Sequence, residues 1–162
     1  MIVGYTLILA HISGLFNTSS LNICIGGITT MHMVKKDNKN QKNVLLVEDD
    51  VFLAGIYKKK FEVEGFKIIV ADNGEKGLSE ARKKLPDMIL LDILLPKMDG
   101  FAVLKELKKD VNTKDIPVIL LTNLGQKDDV EKGIEMGAKD YLIKIHFKPS
   151  EVVDKVRKIL GM

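Results

Sequence analysis

The stretch VLLVEDD at residues 44–50 carries the pattern on which the fold depends, a short apolar run that ends in three consecutive acids. Four further runs, at residues 66–71, 88–91, 118–121 and 141–143, are equally short and are bounded by polar or turn residues. Runs of this kind, rich in Val, Ile and Leu, are typical of strands buried on both faces of a sheet. We therefore expect five strands.

Amphipathic stretches separate these runs and place apolar residues at helical spacing. The five predicted stripes are Leu53, Ile56, Tyr57 and Phe61; Leu78, Ala81 and Leu85; Val103, Leu104 and Leu107; Val130, Ile134 and Ala138; and Val152, Val153, Val156, Ile159 and Leu160. We expect Asn73 to cap the second helix, Gly65 and Gly137 to follow helix ends, and Pro149 to lie in the first turn of the last helix. Strict alternation predicts an α/β, doubly wound, five-stranded parallel sheet with five helices, for which the flavodoxin-like order 2-1-3-4-5 is the candidate.

Composition restricts the classes of protein that remain. A chain of 162 residues with 46% apolar and 29% charged residues fits one globular domain, which we place at residues 43–162. The single cysteine, Cys24, excludes an internal disulfide framework and a cysteine-rich metal site. Residues 1–42 hold four lysines and one acid, so the remainder is formally neutral and has no electrostatic reason to bind nucleic acid.

The candidate site lies at the carboxyl ends of the predicted strands, where doubly wound sheets bind ligands. Glu48 and Asp49 follow the first run, Asp92 the third, Thr122 the fourth and Lys144 the fifth. Clustered carboxylates repel one another, and their hard oxygens suit Mg²⁺. A carboxylate is also a competent nucleophile toward phosphorus, and a hydroxyl and an ammonium can bind phosphoryl oxygens. These residues therefore predict a phosphoryl-transfer site.

Four segments, VLLVEDD (44–50), LLDILLPKMDG (90–100), LLTN (120–123) and YLIK (141–144), closely resemble the receiver domains of two-component response regulators. The resemblance covers about residues 43–160, and the four motifs occur in the family's order and at spacings like the family's. It is this combination, rather than any one motif, that makes the resemblance specific.

The resemblance implies a role for each matching residue. Asp92 would be the phosphoacceptor, and Mg²⁺ would be held by Glu48, Asp49, Asp92 and the backbone carbonyl of Leu94. The family pattern makes Thr122 the switch hydroxyl, Tyr141 the switch aromatic residue and Lys144 the phosphate-binding lysine.

The resemblance further implies a stand-alone, cytoplasmic response regulator. A sensor histidine kinase or a histidine phosphotransfer protein would supply the phosphoryl group. The chain would be a phosphoacceptor rather than an enzyme, although it would assist its own phosphorylation and slow dephosphorylation. Because no output domain follows the last helix, we expect the switched face at about residues 125–160 to act on a protein partner whose identity is unknown.

The sequence departs from the family pattern at three places. Ile145 follows Lys144 where the family usually has proline, so we expect a trans peptide bond and a remodelled loop. Asn123 stands where a small residue is usual and would narrow access to the site or alter the choice of partner. Leu94 and Leu124 stand where side chains flank the attacking water, which predicts slow self-dephosphorylation because leucine cannot hydrogen-bond water.

The first 34 residues contain no charged side chain, and residues 35–43 form a polar, basic linker. The apolar run at residues 2–16 is short of the roughly 20 residues that span a bilayer and lacks the basic start of a signal peptide. Three interpretations remain: translation that begins at Met31 or Met33, which we favour, a membrane anchor within residues 1–34, or a partner-binding or disordered tail.

Other functions on the same fold remain as alternatives. A flavin mononucleotide binder would need a Ser-, Thr- or Gly-rich loop in place of Glu48, Asp49 and Asp50. A phosphatase with an aspartyl nucleophile would need a second aspartate at Leu94. A pseudo-receiver that only binds protein is the main alternative, and the complete set of site residues is the argument against it.

Overall fold

The computed structural model describes residues 41–162 of the chain, which form one parallel sheet covered by helices. In chain order the elements are β1 (Asn43–Val47), α1 (Val51–Val63), β2 (Lys67–Ala71), α2 (Gly74–Lys84), β3 (Met88–Leu91), α3 (Gly100–Lys109), β4 (Val118–Thr122), α4 (Lys127–Glu135), β5 (Asp140–Ile143), a single 3₁₀ turn (Lys144–His146) and α5 (Pro149–Leu160). The predicted alternation of five strands with five helices is confirmed.

The strands pair in the order β2-β1-β3-β4-β5, and every pairing is parallel, as the flavodoxin-like arrangement requires. Val47 is in register with Leu91, and Thr122 is in register with Ile143. All five strands therefore end at one edge of the sheet, the carboxyl edge, where the residues that follow them meet.

Side chains of the central strands alternate between two apolar cores because successive residues of a strand point to opposite faces. In β1, Val44 and Leu46 join the core that α1 and α5 cover, whereas Leu45 and Val47 join the core that α2 and α3 cover. Both faces of the strand are buried, which explains why the run is continuously apolar rather than alternating.

The predicted helix boundaries are confirmed at four residues. The side chain of Asn73 accepts a hydrogen bond from the Lys76 backbone N–H and caps α2. Gly65 and Gly137 lie just past the ends of α1 and α4 with φ of 90° and 94°, a conformation that favours glycine. Pro149 is the first residue of α5.

Not all residues of the predicted apolar stripes lie in the core. Ile56, Leu85 and Ile134 are exposed, and the buried positions on α1 and α4 include Ala54 and Gly133 instead. Leu85 caps α2 with a positive φ of 44°, so the helix has already ended there. Small residues pack where helices approach the sheet closely, which a count of large apolar residues does not detect.

The interpretations made for residues 1–34, including the alternative start sites and the anchor, lie outside the described residues. Within residues 41–162, no helix is both long enough and apolar enough to cross a membrane.

Candidate functional site

Four strand ends bring the predicted site residues together at the carboxyl edge. Glu48 directly follows β1, Asp92 follows β3, and Lys144 follows β5. Thr122 is the last residue of β4, not the residue after it as the sequence pattern suggested. Backbone hydrogen bonds extend the ladder to this point, since the Asp92 N–H donates to the Val47 carbonyl at 3.0 Å. The sheet itself therefore positions the site.

A buried lysine joins the two strand-end acids. Lys144 Nζ donates to Asp92 Oδ2 at 2.5 Å and lies 2.6 Å from Glu48 Oε2. The three side chains are only 6%, 7% and 2% exposed, respectively. One positive charge thus faces two negative charges in a region of low dielectric, where uncompensated charge is costly.

Burial and the neighbouring charges shift the pKa values of this cluster. Burial raises the pKa of Glu48 above its ordinary value, and the negative charge of Asp92 adds to the effect, whereas Lys144 opposes it. Burial alone would lower the pKa of Lys144, but the hydrogen bond to Asp92 and the charges of both acids outweigh it and raise the pKa. The charges of the two acids therefore favour the protonated form of Lys144, and burial disfavours the ionised form of Glu48.

The acids of this edge fit a divalent cation. Glu48, Asp49 and Asp92 each offer a carboxylate oxygen, and these oxygens lie within 4.8 Å of one another. Glu48 Oε2 has Lys144 as a charge partner but lacks a hydrogen bond of acceptable geometry, so this buried oxygen is under-coordinated. Hard carboxylate ligands with one exposed member, Asp49, suit Mg²⁺, which retains several waters. The residues therefore fit the expected ion.

The second oxygen of Asp92 is held by the loop that follows β3. Its Oδ1 atom accepts hydrogen bonds from the backbone N–H groups of Ile93, at 2.6 Å, and Leu94, at 3.2 Å. Gly100 brings α3 against this loop, since a Cβ atom there would lie 2.1 Å from the Asp92 carbonyl oxygen. The Asp92 carboxylate is consequently held at both of its oxygens. The ligand role of the Leu94 carbonyl stays a prediction.

Thr122 and Tyr141 are joined through the loop after β4. Thr122 is fully buried, and its Oγ1 accepts a long hydrogen bond, 3.4 Å, from the Leu124 N–H. The Tyr141 hydroxyl donates to the Leu124 carbonyl at 3.0 Å. A Cβ at Gly133 would lie 2.6 Å from Leu120 Cδ1 and 3.0 Å from the Tyr141 ring, so this glycine makes room for the ring beneath α4. Sequence reasoning missed Gly133, because a glycine inside a helix carries no chemical signal.

The charges of acids in and near the site contribute to the raised pKa values of two tyrosines. Burial, the largest cause, raises the pKa of Tyr57 to about 12, and the charges of Glu48 and Asp92 add to it. Burial and the charges of Asp129 and Asp92 likewise raise the pKa of Tyr141 to about 12. The sequence placed Tyr57 only in an apolar stripe, yet it also lies close enough to Glu48 and Asp92 for their charges to raise its pKa.

Asp50, the third acid of the run, has a different role from its neighbours. Its side chain accepts hydrogen bonds from the Phe52 and Leu53 N–H groups and caps α1. The acids of the EDD sequence are therefore divided between a charge cluster and a helix cap.

The unusual residues near the site leave its geometry intact. The Lys144–Ile145 bond is trans, as predicted, and residues 144–146 form a 3₁₀ turn that leaves Ile145 79% exposed. Lys144 nevertheless reaches both acids. The side chain of Asn123 is exposed, and its predicted effect on access stays a prediction.

Comparison with known proteins agrees with this geometry. Residues 44–157 match the family described as response regulator receiver domain. The chain is 38% identical over 123 residues to the probable transcriptional regulator ycf27 of Pyropia yezoensis, covering 75% of this chain and 49% of that protein. It is 40% identical over 117 residues to the DNA-binding dual master transcriptional regulator RpaA of Synechocystis, covering 72% and 48%. The chain thus spans about half the length of these relatives.

Solved structures show the same architecture. The receiver domain of Francisella response regulator 1452 has a TM-score of 0.69 and 31% identity, covering 75% of this chain and 98% of that one. The CheX-CheY-BeF3-Mg+2 complex of Borrelia burgdorferi has a TM-score of 0.67 and 31% identity, covering 73% and 88%. Chemotaxis protein CheY4 of Vibrio cholerae, at 24% identity and a TM-score of 0.69, supports the fold alone. The chain belongs to the response regulator receiver domain family.

Proposed function

We propose that this receiver domain accepts a phosphoryl group on Asp92 in a Mg²⁺-dependent reaction and signals through the change that follows. The observation that carries the proposal is the buried cluster in which Asp92 faces Lys144 and lies within 4.8 Å of the carboxylates of Glu48 and Asp49. A buried nucleophile beside a fixed cation and under-compensated acids suits phosphoryl transfer, which depends mainly on positioning and on stabilising charge.

The residues divide the work of the reaction. A carboxylate oxygen of Asp92 forms a bond to phosphorus as the bond from phosphorus to the donor group breaks, and the donor leaves with its electron pair. Glu48, Asp49 and Asp92 would hold Mg²⁺, which when bound neutralises charge on the transferred group. Lys144 exchanges its contact with the Asp92 carboxylate for the new phosphoryl oxygens, and the Thr122 hydroxyl donates to another. The protein is thus a phosphoacceptor that assists its own modification rather than an enzyme with a separate substrate.

The phosphodonor would be a histidine kinase or a histidine phosphotransfer protein, the partners of receiver domains. The exposed face of α1 fits such a partner, because Val51, Phe52 and Val63 are 83%, 78% and 69% exposed, and α1 begins beside the acid cluster. Apolar side chains at this level of exposure are typical of a docking surface. A donor seated there would bring its phosphohistidine to Asp92.

The signal would pass through Leu124. Thr122 and Tyr141 both contact its backbone, so a phosphoryl group that draws the Thr122 hydroxyl inward also disturbs the Tyr141 hydrogen bond. The result would be a population shift between two arrangements of the face made by α4, β5 and α5. Leu94, which is 57% exposed, and Leu124 offer no side-chain hydrogen bond to an attacking water, so the phosphorylated state would be long-lived.

We further propose that this receiver domain works in the cytoplasm and acts on a protein partner. One relative is named as DNA-binding, but the chain covers 48% of that protein. From residue 43 onward this chain is formally neutral, which gives the receiver itself no general attraction to nucleic acid.

Intact mass spectrometry tests the phosphoacceptor proposal. Wild-type protein incubated with acetyl phosphate and Mg²⁺ is expected to gain one phosphoryl group, and Asp92→Asn to gain none. Circular dichroism of both proteins serves as the folding control. A folded wild type that gains no mass would favour the pseudo-receiver, and equal gain in Asp92→Asn would place the modification on another residue.

A further inference from the structure

A cleft of about 640 Å³ lies between α3 and α4, and none of its lining residues belongs to the cluster of Glu48, Asp49, Asp92 and Lys144. Its apolar lining consists of Phe101 and Ala102 from α3 and Met136 at the end of α4. The volume is in the range of sites that bind small molecules or a few side chains of a peptide. The lining offers an apolar surface to one inserted side chain.

Four lysines surround this apolar surface, namely Lys105, Lys108, Lys109 and Lys132. Among residues 41–162, the only acid that lines the cleft is Asp99, and its carboxylate already accepts a hydrogen bond from the Ala102 N–H as the cap of α3. Lys109 is paired with Glu106 at 3.2 Å, so the unbalanced positive charge of the cleft comes from Lys105, Lys108 and Lys132. Since residues 43–162 are formally neutral, this charge is a local feature and not a consequence of composition.

Two of the cations are held in place by contacts other than ion pairs, since no carboxylate oxygen of residues 41–162 lies within 4.0 Å of either. Lys132 Nζ lies 4.0 Å from the centroid of the Phe101 ring, a cation–π contact that joins α4 to α3. Lys108 Nζ donates to the carbonyls of Lys114 and Ile116 at 2.8 and 2.9 Å, and burial lowers its pKa below the ordinary value. An anion bound nearby would favour the charged form of this lysine. The positive charge is therefore positioned before any ligand arrives.

The helices that form the cleft are themselves anchored. Gly100, the first residue of α3, packs against the Asp92 carbonyl, and Gly133 of α4 packs against Leu120 and the Tyr141 ring. Preformed sites bind with a smaller entropic cost than sites that must be ordered by the ligand.

We propose that the cleft between α3 and α4 binds a short acidic peptide segment of a partner protein, with one apolar side chain seated on Phe101, Ala102 and Met136. Carboxylates on either side of that residue would pair with the lysines. A long polyanion fits less well, because the same α4 helix exposes Asp128, Glu131 and Glu135, which would repel an extended phosphate backbone. The surface is distinct from both the acid cluster and the α1 face.

Fluorescence polarisation on the full-length chain tests the proposal. The probe is a fluorescein-labelled hexapeptide of sequence DDLFEE, in which either Leu or Phe can supply the seated side chain. It is compared with DDSSEE, which has the same charge and no apolar residue. The first is expected to bind at least tenfold more tightly than the second. Lys105→Glu is expected to weaken binding of DDLFEE by at least tenfold.

Lys58→Glu is the matched control, since Lys58 is also an exposed lysine within a helix and the variant has the same net charge as Lys105→Glu. It is expected to leave the affinity within about twofold of wild type. The proposal is overturned if wild type does not bind DDLFEE, if both lysine variants lose affinity equally, or if DDSSEE binds as tightly as DDLFEE. The second result would mean general attraction between charges, and the third a simple anion patch.

Discussion

Two lysine–carboxylate contacts lie at opposite edges of the parallel sheet and differ in burial and in charge balance. At the amino edge, Lys42 pairs with Asp87 at 2.8 Å, the side chains are 41% and 29% exposed, and Asp87 also accepts from the Asn43 N–H. At the carboxyl edge, Lys144 is 6% exposed and is shared by two acids. The first contact satisfies its charges one to one, whereas the second leaves an excess of negative charge. The lysine and its acid thus stabilise the fold at the amino edge, whereas at the carboxyl edge the lysine and its two acids leave negative charge that a bound cation would offset.

Removing the lysine at each edge should give the largest difference in stability between the two contacts. Lys144→Met leaves Glu48 and Asp92 buried without their cation, and we expect it to destabilise the fold by about 3 kcal/mol in the absence of Mg²⁺. Lys42→Met should cost less than about 1 kcal/mol, because its pair is partly exposed. Urea denaturation of both variants measures the difference. Equal losses would show that burial does not distinguish the two contacts.

Close packing around Asp92 should give the next largest effect. In Gly100→Ala the new Cβ would lie 2.1 Å from the Asp92 carbonyl oxygen, so α3 must shift, at an expected cost of about 2 kcal/mol. Gly55→Ala, on α1 with no atom within 4 Å of the added Cβ, serves as the control and should be neutral or slightly stabilising. Thermal or urea unfolding checks both. A neutral Gly100→Ala would mean that the carboxyl edge is loosely packed.

Neutralising one acid at each edge should give effects of opposite sign. Burial raises the pKa of Glu48, so Glu48→Gln removes a costly charge and should stabilise the fold by roughly 1 kcal/mol while weakening Mg²⁺ binding. Asp87→Asn removes a satisfied charge and should destabilise by roughly 1 kcal/mol without affecting Mg²⁺. Stability is measured in EDTA and Mg²⁺ affinity by calorimetry. Two effects of the same sign would contradict the comparison.

The pH dependence should show the smallest difference. Burial raises the pKa of Glu48 above its ordinary value, so as the pH falls toward that pKa the folded state binds more protons than the unfolded state and the penalty of the buried charge fades. Partial burial of Asp87 opposes the shift, but Lys42 and the Asn43 N–H lower its pKa below 3.8, so its stabilisation is lost only in more acidic solution.

Denaturation in EDTA at pH 7 and pH 5 compares each variant with wild type. Between these values the advantage of Glu48→Gln should shrink by a fraction of a kcal/mol, whereas the deficit of Asp87→Asn should not change. If the stability deficit of Asp87→Asn relative to wild type disappears by pH 5, the pKa of Asp87 in the wild type is not lowered.

The sequence predicted the carboxyl edge better than the amino edge for a physical reason. Parallel strands must end together, so residues that follow apolar runs, such as Asp92 and Lys144, could be placed in one pocket from their positions alone. No comparable pattern marked the pairing of Lys42 with Asp87, because Lys42 belongs to a polar linker and Asp87 to a loop. Their contact depends on where the loop before β3 returns to the sheet.

The sequence does not predict where a helix approaches the sheet closely. Ile56 and Ile134 have helical spacing and apolar side chains, yet both are exposed, whereas Gly133, within α4, is buried. The face of a helix that packs on the sheet depends on how closely the two approach. A glycine that permits a close approach has a low helix propensity, so the sequence gives no sign that it is buried. Tyr57 was likewise predicted as core without any indication that it lies near the acids.

We propose above all that the excess negative charge at the carboxyl edge creates a cation site that phosphorylation needs. The initial rate of phosphoryl uptake from acetyl phosphate, measured as a function of Mg²⁺ concentration, tests this proposal. We expect no uptake in EDTA, saturation in wild type, and a half-saturating Mg²⁺ concentration at least tenfold higher in Asp49→Asn but unchanged in Asp87→Asn. Uptake in EDTA at the wild-type rate, or an equal shift in the two variants, would contradict the account.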